Sequence, residues 1–271
     1  MAISSLDGLI AGTMPPVDFR KYRGGSFEAV GQMASLAYEI GWPGPAVAPT
    51  PGLAGAALTT YAGQIPFTSP AAGDSCYLSS FEADSTNAGT IFLYDRLWHN
   101  SAIVVTTTTA QTINSVAWPP RDQDGLTNGN GVVVAIEVST ATTNVGAIAN
   151  TTMNYTNSAG VAGRTATIAS FPVTAVAGTF VPFSLMTGDT GVRSIQSVTL
   201  GTSYGAGVVH LVAYRTLARI GLTVSNIGMA KDVATTAFPQ LFDNTVPFVQ
   251  WMPTVATGPT TFNGIVTYAS G

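Results

Sequence analysis

Asn128-Gly129-Asn130-Gly131-Val132-Val133-Val134-Ala135-Ile136-Glu137-Val138-Ser139 sets a turn directly against a strand. Asn and Gly tolerate the positive φ that tight turns demand. Here they run directly into a β-branched, apolar segment of strand length. Within it, strand alternation sets Glu137 on the face opposite to its neighbours. The same pattern recurs in both directions, with strands expected at 90–95, 102–105, 112–118, 131–139, 151–156, 164–169, 179–186, 192–200 and 207–214. Turn signals separate them: Asp124-Gly125, Ser158-Ala159-Gly160 and Thr187-Gly188-Asp189-Thr190-Gly191. In 192–200 the apolar residues do not alternate strictly, which permits a bulge or an edge position. The expected fold class is mainly β, with an antiparallel β-sandwich or jelly-roll-like body.

Three zones divide the chain. In the first, 1–72, an extended leader ends at Met14-Pro15-Pro16, and Gly24-Gly25-Ser26 offers a helix cap. Phe27, Val30, Met33, Leu36, Ala37 and Ile40 then fall near a 3.6 period. This predicts an N-terminal helix over about 26–40, stopped by Gly41 and Pro43. A Pro/Gly-rich arm, 41–56, follows. The second zone, 73–216, is the β-sandwich. The third, 217–271, carries Pro239, Pro247, Pro253 and Pro259, which predict edge strands or extended arms, with a closing strand at 261–268. No internal repeat is evident.

Composition restricts the function classes. Ten Lys and Arg and fourteen Asp and Glu make 9% charged residues in 271, against 46% hydrophobic. A typical soluble domain carries about 25% charged residues. So sparse a charge suits a subunit covered by neighbours in an assembly, where charge would have to be desolvated. The net charge of -4 and high apolar content exclude overall disorder. No apolar run approaches the ~20 residues of a membrane span, and no signal peptide is visible at the start. Cys76 stands alone, so no intrachain disulfide is expected, as in a reducing cytoplasm. Nucleic acid is not an expected partner, because Arg20-Lys21-Tyr22-Arg23 is the sole basic run. That run reads as a solvated or partner-facing turn.

Chemistry is sparse. His99 with Asp95 could be a base and its orienter, yet no nucleophile motif accompanies them. The plainer reading is a strand ending in a loop, and His210 is read as packed in an apolar strand. Asp122, Asp124, Asn128 and Asn130 could bind Ca²⁺, or they could serve the turn alone, which the Asp-Gly and Asn-Gly pairs favour. A glycosidase-type carboxylate pair has few candidates among Glu28, Glu39, Glu82 and Glu137. No phosphate loop, dinucleotide fingerprint or zinc spacing is present. The expectation is no enzyme, no catalytic residue, no cofactor and no metal.

Asp95-Arg96-Leu97-Trp98-His99-Asn100-Ser101, the Val104–Gln111 segment, 155–167, 177–183 and 188–200, together with Gly41-Trp42-Pro43-Gly44-Pro45, resemble structural proteins encoded by tailed bacteriophages. The resemblance covers about 40–216. It implies a non-enzymatic virion protein of the capsid decoration, cement or head-tail accessory type, assembled in the host cytoplasm and located in the virion. Its partners would be other phage virion proteins of the capsid or neck. A homo-oligomer is expected, with a trimer as first choice. The alternatives are a receptor-binding or fibre-type phage protein and, more remotely, a polysaccharide-degrading enzyme. Partner binding is expected at Arg20, Lys21, Arg23, Phe27 and Trp42: a large aromatic anchor beside cations that fix register.

Overall fold

Strand β8 (Val132–Thr140) is buried on both faces, which is why it reads as a nearly continuous apolar run. Val132, Val134, Ile136 and Val138 enter one core, and Ala135 with Val133 enters another. The computed structural model describes residues 3, 5–24, 29–255 and 258–271, and among them the strands form three antiparallel sheets.

β8 pairs with β13 (Val208–Leu222) on one side and β11 (Thr179–Pro182) on the other. β11 pairs with β2 (Met33–Ser35), and β2 with β16 (Pro247–Pro253). β16 then pairs with β6 (Gly89–His99), which returns to β13. The circuit closes, so these six strands form a barrel with no free edge. β4 (Ala56–Ala57) joins the end of β6.

Two open sheets lean on the outside of the barrel. One contains β1 (Val17–Arg23), β3 (Ile40–Trp42), β5 (Cys76–Ser85), β14 (Met229–Asp232), β15 (Gln240–Leu241) and β17 (Thr260–Ser270), in the order β14-β5-β17-β1-β3 with β15 also on β5. Its Phe19, Phe81, Phe262 and Val266 pack on Ile91, Leu93, Ile220 and Trp251 of the barrel wall. The other contains β7 (Gln111–Thr112), β9 (Ile148–Asn157), β10 (Arg164–Phe171) and β12 (Val192–Thr199), in the order β10-β9-β12-β7. It covers the outer face of β8 and the first half of β13. The mainly β, antiparallel, layered body is therefore as read from the sequence, and β12 carries the irregularity expected of it, in two register shifts against β9.

The helix over 26–40 is not formed. Residues 25–28, with Phe27 among them, lie outside the described residues, while Met33–Ser35 is β2 and Ile40–Trp42 is β3. Met33 and Ser35 face the barrel interior while Leu36 enters the core beneath the six-stranded sheet. Closing the barrel through β2 outweighs a local 3.6 spacing, because propensity is a weak term beside tertiary pairing. A short helix α1 (Leu6–Ala11), capped by the Ser5 hydroxyl accepting from the Gly8 N–H at 3.0 Å, precedes β1 instead.

The three zones also interlock. β1 pairs along its length with β17, and β13 runs through the 216 boundary without a break. β16 is flanked on both sides, so Pro247 and Pro253 end an interior strand rather than mark an edge. The arm is strapped to its own body: Gly52 N–H donates to Ser101 Oγ at 2.7 Å, Trp98 Nε1 to the Ala54 carbonyl at 3.1 Å, and Asn100 Nδ2 to Leu53 O at 3.2 Å.

Candidate functional site

β1 alternates as Val-Asp-Phe-Arg-Lys-Tyr-Arg, with Phe19, Lys21 and Arg23 inward and Asp18, Arg20 and Tyr22 outward. Strand register then sets Arg20 between Trp42 of β3 and Asn263 of β17. Asn263 faces Asp84 of β5 and donates to it from Nδ2 at 2.9 Å. One step along the strands, Asp18 is opposite Ile265, and Ile265 opposite Glu82. These residues line a shallow cleft of about 310 Å³ on the outer face of the six-stranded sheet. At its floor lies Gly264, with the Phe19 ring packed beneath it on the core side, where an added Cβ would come within 2.3 Å of the ring. β3 ends the sheet, and its Ile40 and Trp42 are 62% and 59% exposed.

Of the residues expected to bind a partner, the fold brings Arg20 and Trp42 together on this surface and turns the other two described ones inward. Lys21 is 2% exposed, and its Nζ donates to the carbonyls of Pro43 at 2.7 Å and Glu39 at 3.3 Å. Arg23 pairs with Glu39 and reaches the Ala177 carbonyl. Both charged ends are therefore engaged within the fold, anchoring 39–44 beneath β3. From sequence, Asp18, Asp84 and Asn263 are not singled out, and Glu82 appears only among the glycosidase-type carboxylates. The alternation Val17-Asp18-Phe19-Arg20 was the signal that could have located their sheet, but it breaks off at Lys21.

Burial lowers the Lys21 ammonium to about 8, against the opposing pull of Glu39. Because this is below the unfolded value of 10.5, the unfolded chain holds more protons from about pH 8 upward, so this group makes stability rise with pH over that interval. Buried tyrosines act in the opposite sense above about pH 10. In urea melts from pH 8 to 10, stability of the wild type relative to Lys21→Met is expected to increase. A flat difference would refute the assignment.

Two charged networks are buried elsewhere. Inside the barrel, Arg96 Nη2 meets Glu137 Oε2 at 2.7 Å, with both side chains fully buried. Tyr38 donates to the same carboxylate at 3.1 Å, and Arg96 lies 4.4 Å from the Tyr61 ring centroid. Burial alone would raise the Glu137 carboxyl, but the Arg96 guanidinium overrides it and holds it below its ordinary value. Outside the barrel wall, Asp95 accepts from Arg121 Nε at 3.2 Å, Arg215 Nε at 3.3 Å and the Val246 N–H at 2.9 Å.

A bulge separates these networks and dissolves the His99–Asp95 pair. Ala213 is opposite Trp98 but Tyr214 is opposite Arg96, so Leu97 is the extra residue and alternation reverses after it. His99 therefore sits beside Arg96, whose Nε donates to His99 Nδ1 at 3.3 Å. Burial, Arg96 and His210 lower its pKa to about 2, leaving a poor base. His210 bridges Ser139 Oγ at 2.7 Å and the Asn100 carbonyl at 2.9 Å, a cross-strand fastening of β8 to β13.

In the loop considered for Ca²⁺, the Asp122 carboxylate accepts the N–H groups of Asp124, Leu126, Gly129 and Asn130. The oxygens that would ligate a cation are thus holding the turn, and Gly129, at φ 79°, passes so close to Val192 O that a Cβ would lie 1.9 Å from it. Among the described residues no group of three or more His, Cys, Asp or Glu side chains is gathered for a metal, and no helix is long and apolar enough to cross a membrane. Cys76 is a buried free thiol, raised to about 11 by burial.

No family model matches the chain, and no curated protein matches it. Among solved structures it is similar to the infectious bursal disease virus Gt strain structure, at 12% identity over 95% of this chain and 81% of that chain, with a TM-score of 0.20. The VP2 subviral particle of the same virus gives 10% identity over 99% and 83%, with a TM-score of 0.19. Likeness of this degree fixes neither family nor function.

Proposed function

We propose that this chain is a non-enzymatic virion structural protein, a decoration, cement or accessory subunit that assembles as a homo-oligomer, with a trimer as the first expectation. The observation that carries the reading is where its few charges sit. Lys21, Arg23, Arg96, Arg121 and Arg215 are buried, as are Asp95, Asp122 and Glu137. Among the described basic residues Arg20, Arg193 and Arg219 are exposed. The outside is thus poorer in charge than the composition suggests, and it exposes Ile40, Trp42, Val104, Val145, Val161 and Val173. Such a surface fits contact with neighbours better than free diffusion. Asp95 is taken up by Arg121, Arg215 and the Val246 N–H rather than orienting His99, which fits a non-enzymatic role.

The chain is expected in purified phage particles in a fixed ratio to the major capsid protein, at symmetry-related positions on the capsid or neck. Mass spectrometry and cryo-electron microscopy of particles from a producing host check this. A chain that remains in the soluble lysate and is missing from particles would sink the reading. Density confined to the tail tip would select the receptor-binding alternative.

A further inference from the structure

We propose that the β3 edge and the Trp42 cleft form a docking site for an extended, cation-bearing segment of a neighbouring protein. The proposal rests on the virion reading above and specifies the partner chemistry. Among the described residues β3 is paired on one side, by β1, so its other backbone edge is open to an added strand. Natural edges are usually blunted with lysine, proline or inward charge. This one instead presents Ile40 and Trp42, more than half exposed, with the half-buried to exposed Tyr22 beside them.

Charge selects the occupant. Asp18, Glu82 and Asp84 share the cleft with Arg20, three carboxylates against one guanidinium. Asp84 is held by Asn263, whereas Asp18 and Glu82 form no ion pair among the described residues. An arginine or lysine on an incoming strand would lie against the Trp42 indole, with Asp18 of β1 the nearest carboxylate and Glu82 and Asp84 of β5 at the far end of the cleft, beyond Arg20. An acidic segment would meet like charge. Lys21 and the Arg23–Glu39 pair hold β3 from beneath, so the edge is presented in a fixed position at little ordering cost.

A short fluorescein-labelled peptide alternating Arg and Thr, compared with its Glu/Thr counterpart, tests this on the full chain. The Arg peptide should bind, the Glu peptide should not, and binding should fall with salt. Trp42→Ala should weaken binding about 30-fold, and Asp18→Asn with Glu82→Gln about tenfold. All three changes are on the surface, and circular dichroism checks that the fold is kept. Trp98, Trp118 and Trp251 are buried, so acrylamide quenching reports mainly Trp42 and should drop when the Arg peptide binds. Equal binding of both peptides, or binding indifferent to the variants, overturns the proposal. So does self-association abolished by Trp42→Ala without peptide binding, which would assign the face to a second copy. Chain found on particles with no peptide binding removes this site and leaves the virion reading. Peptide binding by a chain missing from particles does the reverse.

Discussion

Asp95→Ala is expected to destabilise the fold by about 3–5 kcal/mol, the cost of breaking a buried ion pair from one side. That is a large share of the roughly 5–15 kcal/mol that holds a domain folded. Removing this carboxylate leaves Arg121 and Arg215 charged and buried with no anion between them, and the Val246 N–H without its acceptor. The guanidiniums have other acceptors, Leu58 O and Arg96 O for Arg121 and Gln240 O for Arg215, but carbonyls do not neutralise charge. Burial already depresses the Arg215 pKa, and Asp95 is the chief group opposing that. The network joins β6, β13, the segment before β16 and the 119–131 loop, so its loss should loosen both flanks of the barrel. A melting temperature lower by roughly 6–20 °C is expected, checked by thermal and urea denaturation. Asp18→Asn, exposed and outside any ion pair among the described residues, is the control. Equal stability of Asp95→Ala and wild type would contradict the geometry.

Asp95 also shows what the sequence could and could not convey. Segments 131–139, 151–156, 164–169 and 192–200 were legible because turn residues bracket β-branched runs, and these lie within a residue or a few of β8, β9, β10 and β12. Segment 102–105 forms no strand. Ala102 has φ 65°, and the Gln111 amide side chain takes both the N–H and the carbonyl of Val104, in place of a neighbouring strand. β1 was hidden because Lys21 and Arg23, residues that normally mark a surface, point inward to neutralising partners. β5 was missed because Cys76–Ser85 mixes apolar with small polar residues and presents no apolar run, although Gly73-Asp74 and Asn87-Ala88-Gly89 flank it. Barrel closure depends on which distant strands pair, and β2 and β16 meet over more than 200 positions of sequence. No local pattern encodes that. Of the candidate site, the aromatic anchor and one cation were readable from residue type. The carboxylates of the cleft come from β1 and β5, so only strand order reveals that they share it with Trp42.

The barrel interior yields the second large effect. Arg96→Met and Glu137→Leu are each expected to cost about 3–5 kcal/mol alone, because each leaves the other charge enclosed without a counter-ion. The double replacement should cost much less than the sum of the two. It removes both charges together, and the surrounding Phe180, Tyr214 and Phe248 can pack against apolar side chains. A double-mutant cycle from urea midpoints should therefore give a coupling of several kcal/mol. Tyr38→Phe, which removes the hydroxyl donating to Glu137, should cost about 1 kcal/mol. Strictly additive single effects would mean that the two side chains do not form a pair in solution. The near-restoration expected of the double variant also separates two roles for this network. If stability returns while particle incorporation is lost, the ion pair fixes strand register in the barrel and so the position of the β3 edge. If both return, the pair is a replaceable filling of the interior, and assembly depends on the outer faces alone.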